Sequence, residues 1–190
     1  MKARRHKGFT VLEVTVASVL SVLLALLLSS AWMSVGKSIA DLHARSQLAQ
    51  EMDFAVAAIS SDLGGWPANP QGQPVEAGSC TVDATNFVLT INLTNRDTIT
   101  YQIDASNSDA WNHNDLIRTY HTAAQSQSQS FTVARNVDNF YPSINSDGTQ
   151  LTLRIDFSCN YPPQSLVPTS ADRENSLIKR TCVLVTNLPP

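Results

Sequence analysis

Between Phe9 and Val35 the sequence FTVLEVTVASVLSVLLALLLSSAWMSV carries a single formal charge, Glu13. About 20 consecutive apolar residues suffice to cross a bilayer as a helix. This run therefore commits much of the apolar content of a 190-residue chain to lipid, leaving enough for one small domain after it. Beyond Val35 the composition turns to Ser, Thr, Asn, Asp and Gln with scattered aromatics, as suits a domain in water. The first eight residues, MKARRHKG, hold Lys2, Arg4, Arg5 and Lys7 and no acid. The positive-inside bias keeps that end cytoplasmic and sends the C-terminal part across the membrane.

A carboxylate inside a membrane span costs about 2.5 to 3.5 kcal/mol even on the mildest insertion scales, and is tolerated when it has a partner. Glu13 therefore calls for one. The residues G-F-T-V-L-E at 8 to 13, between a short basic leader and an apolar run, resemble the cleavage motif of type IV prepilins. The resemblance implies that a prepilin peptidase cuts between Gly8 and Phe9 and that the new N-terminus becomes N-methylphenylalanine. Glu13 is then the fifth mature residue, neutralised during assembly by the N-terminal amine of a neighbouring subunit. Three plainer readings compete. Glu13 could snorkel to the cytoplasmic interface. The segment could be a secretory signal with Val19–Leu28 as apolar core and Ser29-Ser30-Ala31 as cleavage site. It could also be an uncleaved anchor. The length of the run and its unbroken helical pattern past Ala31 speak against the secretory signal. Loss of the leader removes four of the 13 basic residues and none of the 16 acidic ones, moving the formal charge from −3 to −7. General binding to nucleic acid or anionic lipid is not expected of such a chain. Arg173, Lys179 and Arg180 read as a solvated strand edge.

No proline falls between Phe9 and Pro67, so one helix from Phe9 to about Leu63 is predicted. Its second half is amphipathic. Ile39, Leu42, Leu48, Met52, Val56, Ile59 and Leu63 form the apolar stripe, with Lys37, Asp41, Arg45, Glu51 and Asp62 off it. Gly64-Gly65 suggests a left-handed helix stop. The stretch GGWPANPQGQPVEAGS reads as a connection. Alternating residues from Phe87 to Leu93, a turn at Asn95-Arg96-Asp97 and a strand through Ile99, Tyr101 and Ile103 predict a hairpin. Further strands are predicted over 116–121, 131–133 continuing towards 137–141, 151–157 and 178–188, with Ala123–Ser130 a mobile low-complexity loop. The organisation is a leader 1–8, a membrane or filament-core helix half 9–36, an amphipathic half 37–63, a connection 64–80 and a β-rich periplasmic head 81–190. The fold class is α+β, type IV pilin-like, with a long N-terminal helix packed on a mainly antiparallel sheet.

The order of EMDFAVAAISSDLGGW, TITYQI, DLIRTY, VARNVDNFYPSI and TCVLVTNL resembles that of W-type minor pilins and J-type pseudopilins of type II secretion. Two departures are a Gly64 where those families usually carry Arg, and the absence of a longer charged tail. The resemblance implies a structural subunit that primes or joins assembly of a type IV pilus or type II secretion pseudopilus. It would sit in the bacterial inner membrane with its head in the periplasm until incorporated. Its partners would be other minor and major pilins or pseudopilins, the prepilin peptidase and the assembly platform. A tip-displayed adhesin or DNA-uptake subunit is the alternative.

Cys80, Cys159 and Cys182 all lie in the exported part, where an oxidising compartment permits a disulfide. Cys159 ends one predicted strand and Cys182 lies within the next, so a bridge between them is expected, worth about 3 kcal/mol, with Cys80 as an alternative partner. There is no CxxC and no paired His, so no metal is expected. The Asx-rich DASNSDAWNHND lacks the Gly and bidentate Glu of a calcium loop and reads as a turn. His43, His113 and His121 stand without a nucleophile motif, and no enzyme activity or cofactor is expected.

Overall fold

A computed structural model describes residues 10–64, 72, 75–105, 114–123, 128–160 and 177–188. The predicted helix is α1, Val11–Leu63. It begins after Thr10 because that residue caps it. At the far end the Gly64 N–H donates to Ser60 O at 2.8 Å, continuing the helical pattern. A Cβ on Gly64 would lie 2.9 Å from that same carbonyl, so a side chain does not fit. Among the described residues the left-handed glycines are Gly72 and Gly148, and Gly64 does not make the predicted left-handed stop. Gly65 lies outside the described residues.

The chain divides into two compact units, Met1–Leu42 and His43–Pro190. In the first, the α1 side chains from Val11 to Ile39 are exposed on every side. Ile39 and Leu42, at 62% and 65% exposure, therefore do not join the stripe that the sequence suggested.

In the second unit seven strands lie in chain order, each antiparallel to the next. They are β1 Ala77–Asp83, β2 Val88–Leu93, β3 Thr98–Asp104, β4 Asn114–His121, β5 Ser128–Ile144, β6 Gln150–Asn160 and β7 Leu177–Asn187. Two-residue alternation turns Leu89, Ile91, Ile99, Tyr101, Leu153 and Phe157 inward, against Leu48, Ala55 and Ile59 of α1. One helix covering one face of an antiparallel sheet is the α+β layout. The β2–β3 hairpin turns at Thr94–Asp97 as predicted. Arg96 is left-handed at φ 72°, and Leu93 N–H donates to Asp97 O at 2.8 Å.

Several strand boundaries differ from the sequence expectation, and those at the starts of β1 and β5 fall inside segments read as connection or loop. β1 begins at Ala77, inside the stretch assigned to a connection. Its Ala-Gly-Ser start has low strand propensity, and Gly78 is admitted because a Cβ there would press on Asn92 O at 3.1 Å. β5 begins at Ser128, inside the predicted loop, because its polar start is held by β4 through Thr119↔Ser130 and His121↔Ser128. β5 serves two neighbours: Ser128–Val137 pairs with β4 and Val137–Ile144 with β6. Asn136, left-handed at φ 58°, sits at the changeover. Pro142 falls in the half that pairs on one side only, where the missing N–H is tolerated. The sheet curls until the ring of Phe87, in the β1–β2 turn, meets Tyr141 of β5 edge-to-face at 5.1 Å.

The expected bridge between Cys159 and Cys182 is not formed, and neither residue nor Cys80 takes part in a disulfide. The β6–β7 register sets Cys182 opposite Ile155 and Cys159 opposite Ile178. Four residues of strand, about 13 Å, separate the two positions, while a disulfide needs Cα atoms within about 7 Å. Cys80 is likewise unbridged on β1.

Candidate functional site

Glu13 lies in the first turn of α1, and Gly8 and Phe9 lie outside the described residues. Thr10 and Glu13 form a reciprocal capping box. The Thr10 N–H and hydroxyl donate to Glu13 Oε2 at 2.8 and 3.0 Å, and the Glu13 N–H donates to Thr10 Oγ1 at 3.3 Å. The carboxylate also stands at the positive end of the helix dipole. Two donors within its own chain thus satisfy Glu13, a pairing legible in T-V-L-E. From Val14 to Val35 no further charge occurs, and the helix is long and apolar enough to cross a membrane. Ala17, Ser21, Ala25 and Ser29 recur every four residues. Ser21 and Ser29 donate to Ala17 O and Ala25 O, each at 2.8 Å, so this small-residue row presents no unpaired hydroxyl.

A second polar constellation lies in the head, where α1 ends over β3 and β4. Asp62 is only 4% exposed and Arg118 only 7%. Arg118 Nε and Nη2 donate to the two Asp62 oxygens at 2.5 and 3.0 Å, a bidentate fork. The Tyr101 hydroxyl donates to Asp62 Oδ2 at 2.5 Å. The Arg118 guanidinium lies over the rings of Phe131, at 5.1 Å, and Tyr120, at 6.0 Å. Burial, reinforced by the Asp62 charge, pushes the Tyr101 hydroxyl well above its ordinary range. Burial opposes the Arg118 charge, but Asp62 outweighs it and raises that pKa. An acid in the last turn of a helix faces the wrong end of the dipole, so Asp62 owes its place to Arg118. The sequence reading set Asp62 on the polar face. Nothing in the helical period shows that a cation on a strand 56 residues later meets it.

A neighbouring cluster fixes the loops. Asp97 accepts from the Tyr120 hydroxyl at 2.5 Å, the Asn95 amide at 2.7 Å and the Ala123 N–H at 2.8 Å. Burial, followed by the bond to Asp97, pushes the Tyr120 hydroxyl up to about 12.

A cleft of about 500 Å³ runs beside α1, lined by Gln47, Gln50, Glu51, Phe54 and Thr132–Arg135. Its carboxylate is engaged, since Glu51 Oε2 accepts the Arg135 N–H at 2.9 Å. His43 and His121 are exposed, and His121 Nε2 lies 3.4 Å from Thr100 Oγ1. His113 lies outside the described residues, as does most of the Asx-rich segment. Among the described residues no three His, Cys, Asp or Glu side chains converge as a metal site would require. Comparison with family models, with curated proteins and with solved structures gives no match.

Proposed function

We propose that the chain is a minor pilin or pseudopilin, a structural subunit that joins or primes a type IV pilus-like filament. The observation that carries this reading is Glu13, the one charge at the start of an otherwise uncharged helix half whose side chains are all exposed. An exposed apolar helix needs lipid or other helices around it. The row Ala17, Ser21, Ala25 and Ser29 offers a face on which another helix can approach closely. In this reading the peptidase cuts at Gly8–Phe9, Phe9 is N-methylated, and the Thr10 cap holds Glu13 until a neighbouring N-terminus takes over. The subunit waits in the inner membrane with its head in the periplasm, and its partners are other pilins and the assembly platform. The head contributes shape and stability, and no catalytic step is assigned to it.

The test is mass spectrometry of the protein's N-terminus from its native cell. A start at methylated Phe9 is expected. An intact residue 1–8 segment, or a start at Trp32, overturns the reading.

A further inference from the structure

β7 ends the sheet, and among the described residues no strand pairs with its outer side. The Leu188 N–H donates to Thr149 O at 2.8 Å, and the ladder to β6 runs from Leu177 to Asn187 without a bulge. In an antiparallel ladder successive residues turn their N–H and C=O alternately towards the neighbour and away from it. The even-numbered residues of β7 therefore serve β6, and the backbones of Thr181, Val183 and Val185 point away from the sheet. Their side chains lie on the face opposite Cys182 and Leu184, which pack on the core. Val183 and Val185 are 59% and 52% exposed. Sheet edges are ordinarily blunted by shortness, bulges, proline or charge. β1, at the other edge, is treated in this way: it has 7 residues, is irregular between Ala77 and Ser79, and ends in Asp83. β7 has 11 residues, and its charges, Lys179 and Arg180, stand near its start. From Thr181 to Asn187 the edge is regular, uncharged and free of proline.

We propose that the outer edge of β7 is a strand-addition site, where an extended segment of a partner protein continues the sheet. The outward backbone groups of Thr181, Val183 and Val185 call for another extended backbone. The two valines call for apolar side chains at every second position of that segment. Lys179 and Arg180 are exposed and make no ion pair among the described residues, so they call for a carboxylate at the end that lies beside them. They also oppose a second copy laid parallel and in register, which would set each cation against its twin. The occupant is thus an extended, alternately apolar segment with one acidic end. The proposal concerns the head alone and does not rest on the filament reading.

The test titrates the full-length chain in detergent with capped peptides of about nine residues, a strand's length, in which threonine and valine alternate. One peptide carries glutamate at its N-terminal end and the other at its C-terminal end, which reads the direction of pairing. One of them is expected to bind saturably. Val185→Lys is expected to weaken it by about fivefold, as is Lys179→Glu, and a lysine-ended peptide should recover the affinity for Lys179→Glu. N-methylation of alternate peptide residues separates strand addition from other binding. Methylating the set that faces β7 is expected to cost at least about tenfold, and methylating the other set little. Amide exchange completes the test. Without peptide, Val183 and Val185 are expected to exchange fast and Leu184 and Leu188 slowly, and the peptide is expected to slow the first pair at least about tenfold. Absence of saturable binding, or equal loss from both methylation patterns, overturns the proposal. So does slow exchange of Val183 and Val185 before peptide is added, which shows the edge already covered by this chain or by a second copy.

Discussion

The side chains that decide most about the head are few, polar and buried. Asp97 joins the β2–β3 turn to β4 and the segment after it through three donors. Burial alone would raise its carboxyl, but the bonds from Tyr120, Ala123 and Asn95 outweigh that and hold it below the ordinary range. Because the folded pKa is depressed, the contribution is fully present above the unfolded value of about 3.9 and lost as pH falls through the lower folded value. Asp97→Asn is therefore expected to destabilise the head by about 1–3 kcal/mol at neutral pH and to flatten the acid limb of stability. Thermal melts between about pH 2 and 7 measure both. Cys80 makes a second prediction at this scale. Burial pushes its thiol up to about 11, so at pH 8 its thiolate is at least about a hundredfold scarcer than that of an ordinary cysteine. Alkylation of the folded chain, followed by peptide mapping, should find Cys80 slower by that order. A free-cysteine rate at Cys80 would contradict the burial.

At the scale of elements, α1 has two chemical characters in one unbroken helix. Leu42 and Ile59 belong to the same sequence stripe, yet Leu42 is 65% exposed and Ile59 is fully buried. Ile59→Ala is expected to destabilise the head by about 2–5 kcal/mol, and Leu42→Ala to stay within about 0.5 kcal/mol. Denaturant unfolding of the two variants checks the contrast. The strands show why their own ends were harder to read. β6 was plain because Leu151, Leu153, Ile155 and Phe157 alternate without a break. The start of β5, Ser-Gln-Ser, shows no alternation of apolar and polar, and it is a strand because β4 offers it a ladder. Pairing supplied by a neighbour outweighs weak local propensity.

For the whole molecule, the proposed filament role separates assembly from folding. Glu13→Gln is expected to abolish incorporation into the fibre while leaving the melting of the head unchanged, because Glu13 is far in sequence from every residue of the head core. Fibre fractionation and melts of the same variant read the two independently, and normal incorporation would end the reading. The sequence by itself determined the long helix, its apolar first half with Glu13 as its one charge, and the β2–β3 hairpin, while the Thr10–Glu13 cap, legible in T-V-L-E, was first seen in the structure. These rest on local chemistry: hydrophobic period, absence of proline and turn-forming residues. Tertiary structure alone decided that Asp62 is buried against Arg118, that Ile39 and Leu42 stay outside, and that Cys159 and Cys182 stand four residues out of register. Each depends on which residues a strand pairing or a helix docking brings opposite one another, and no spacing within a single element encodes that choice.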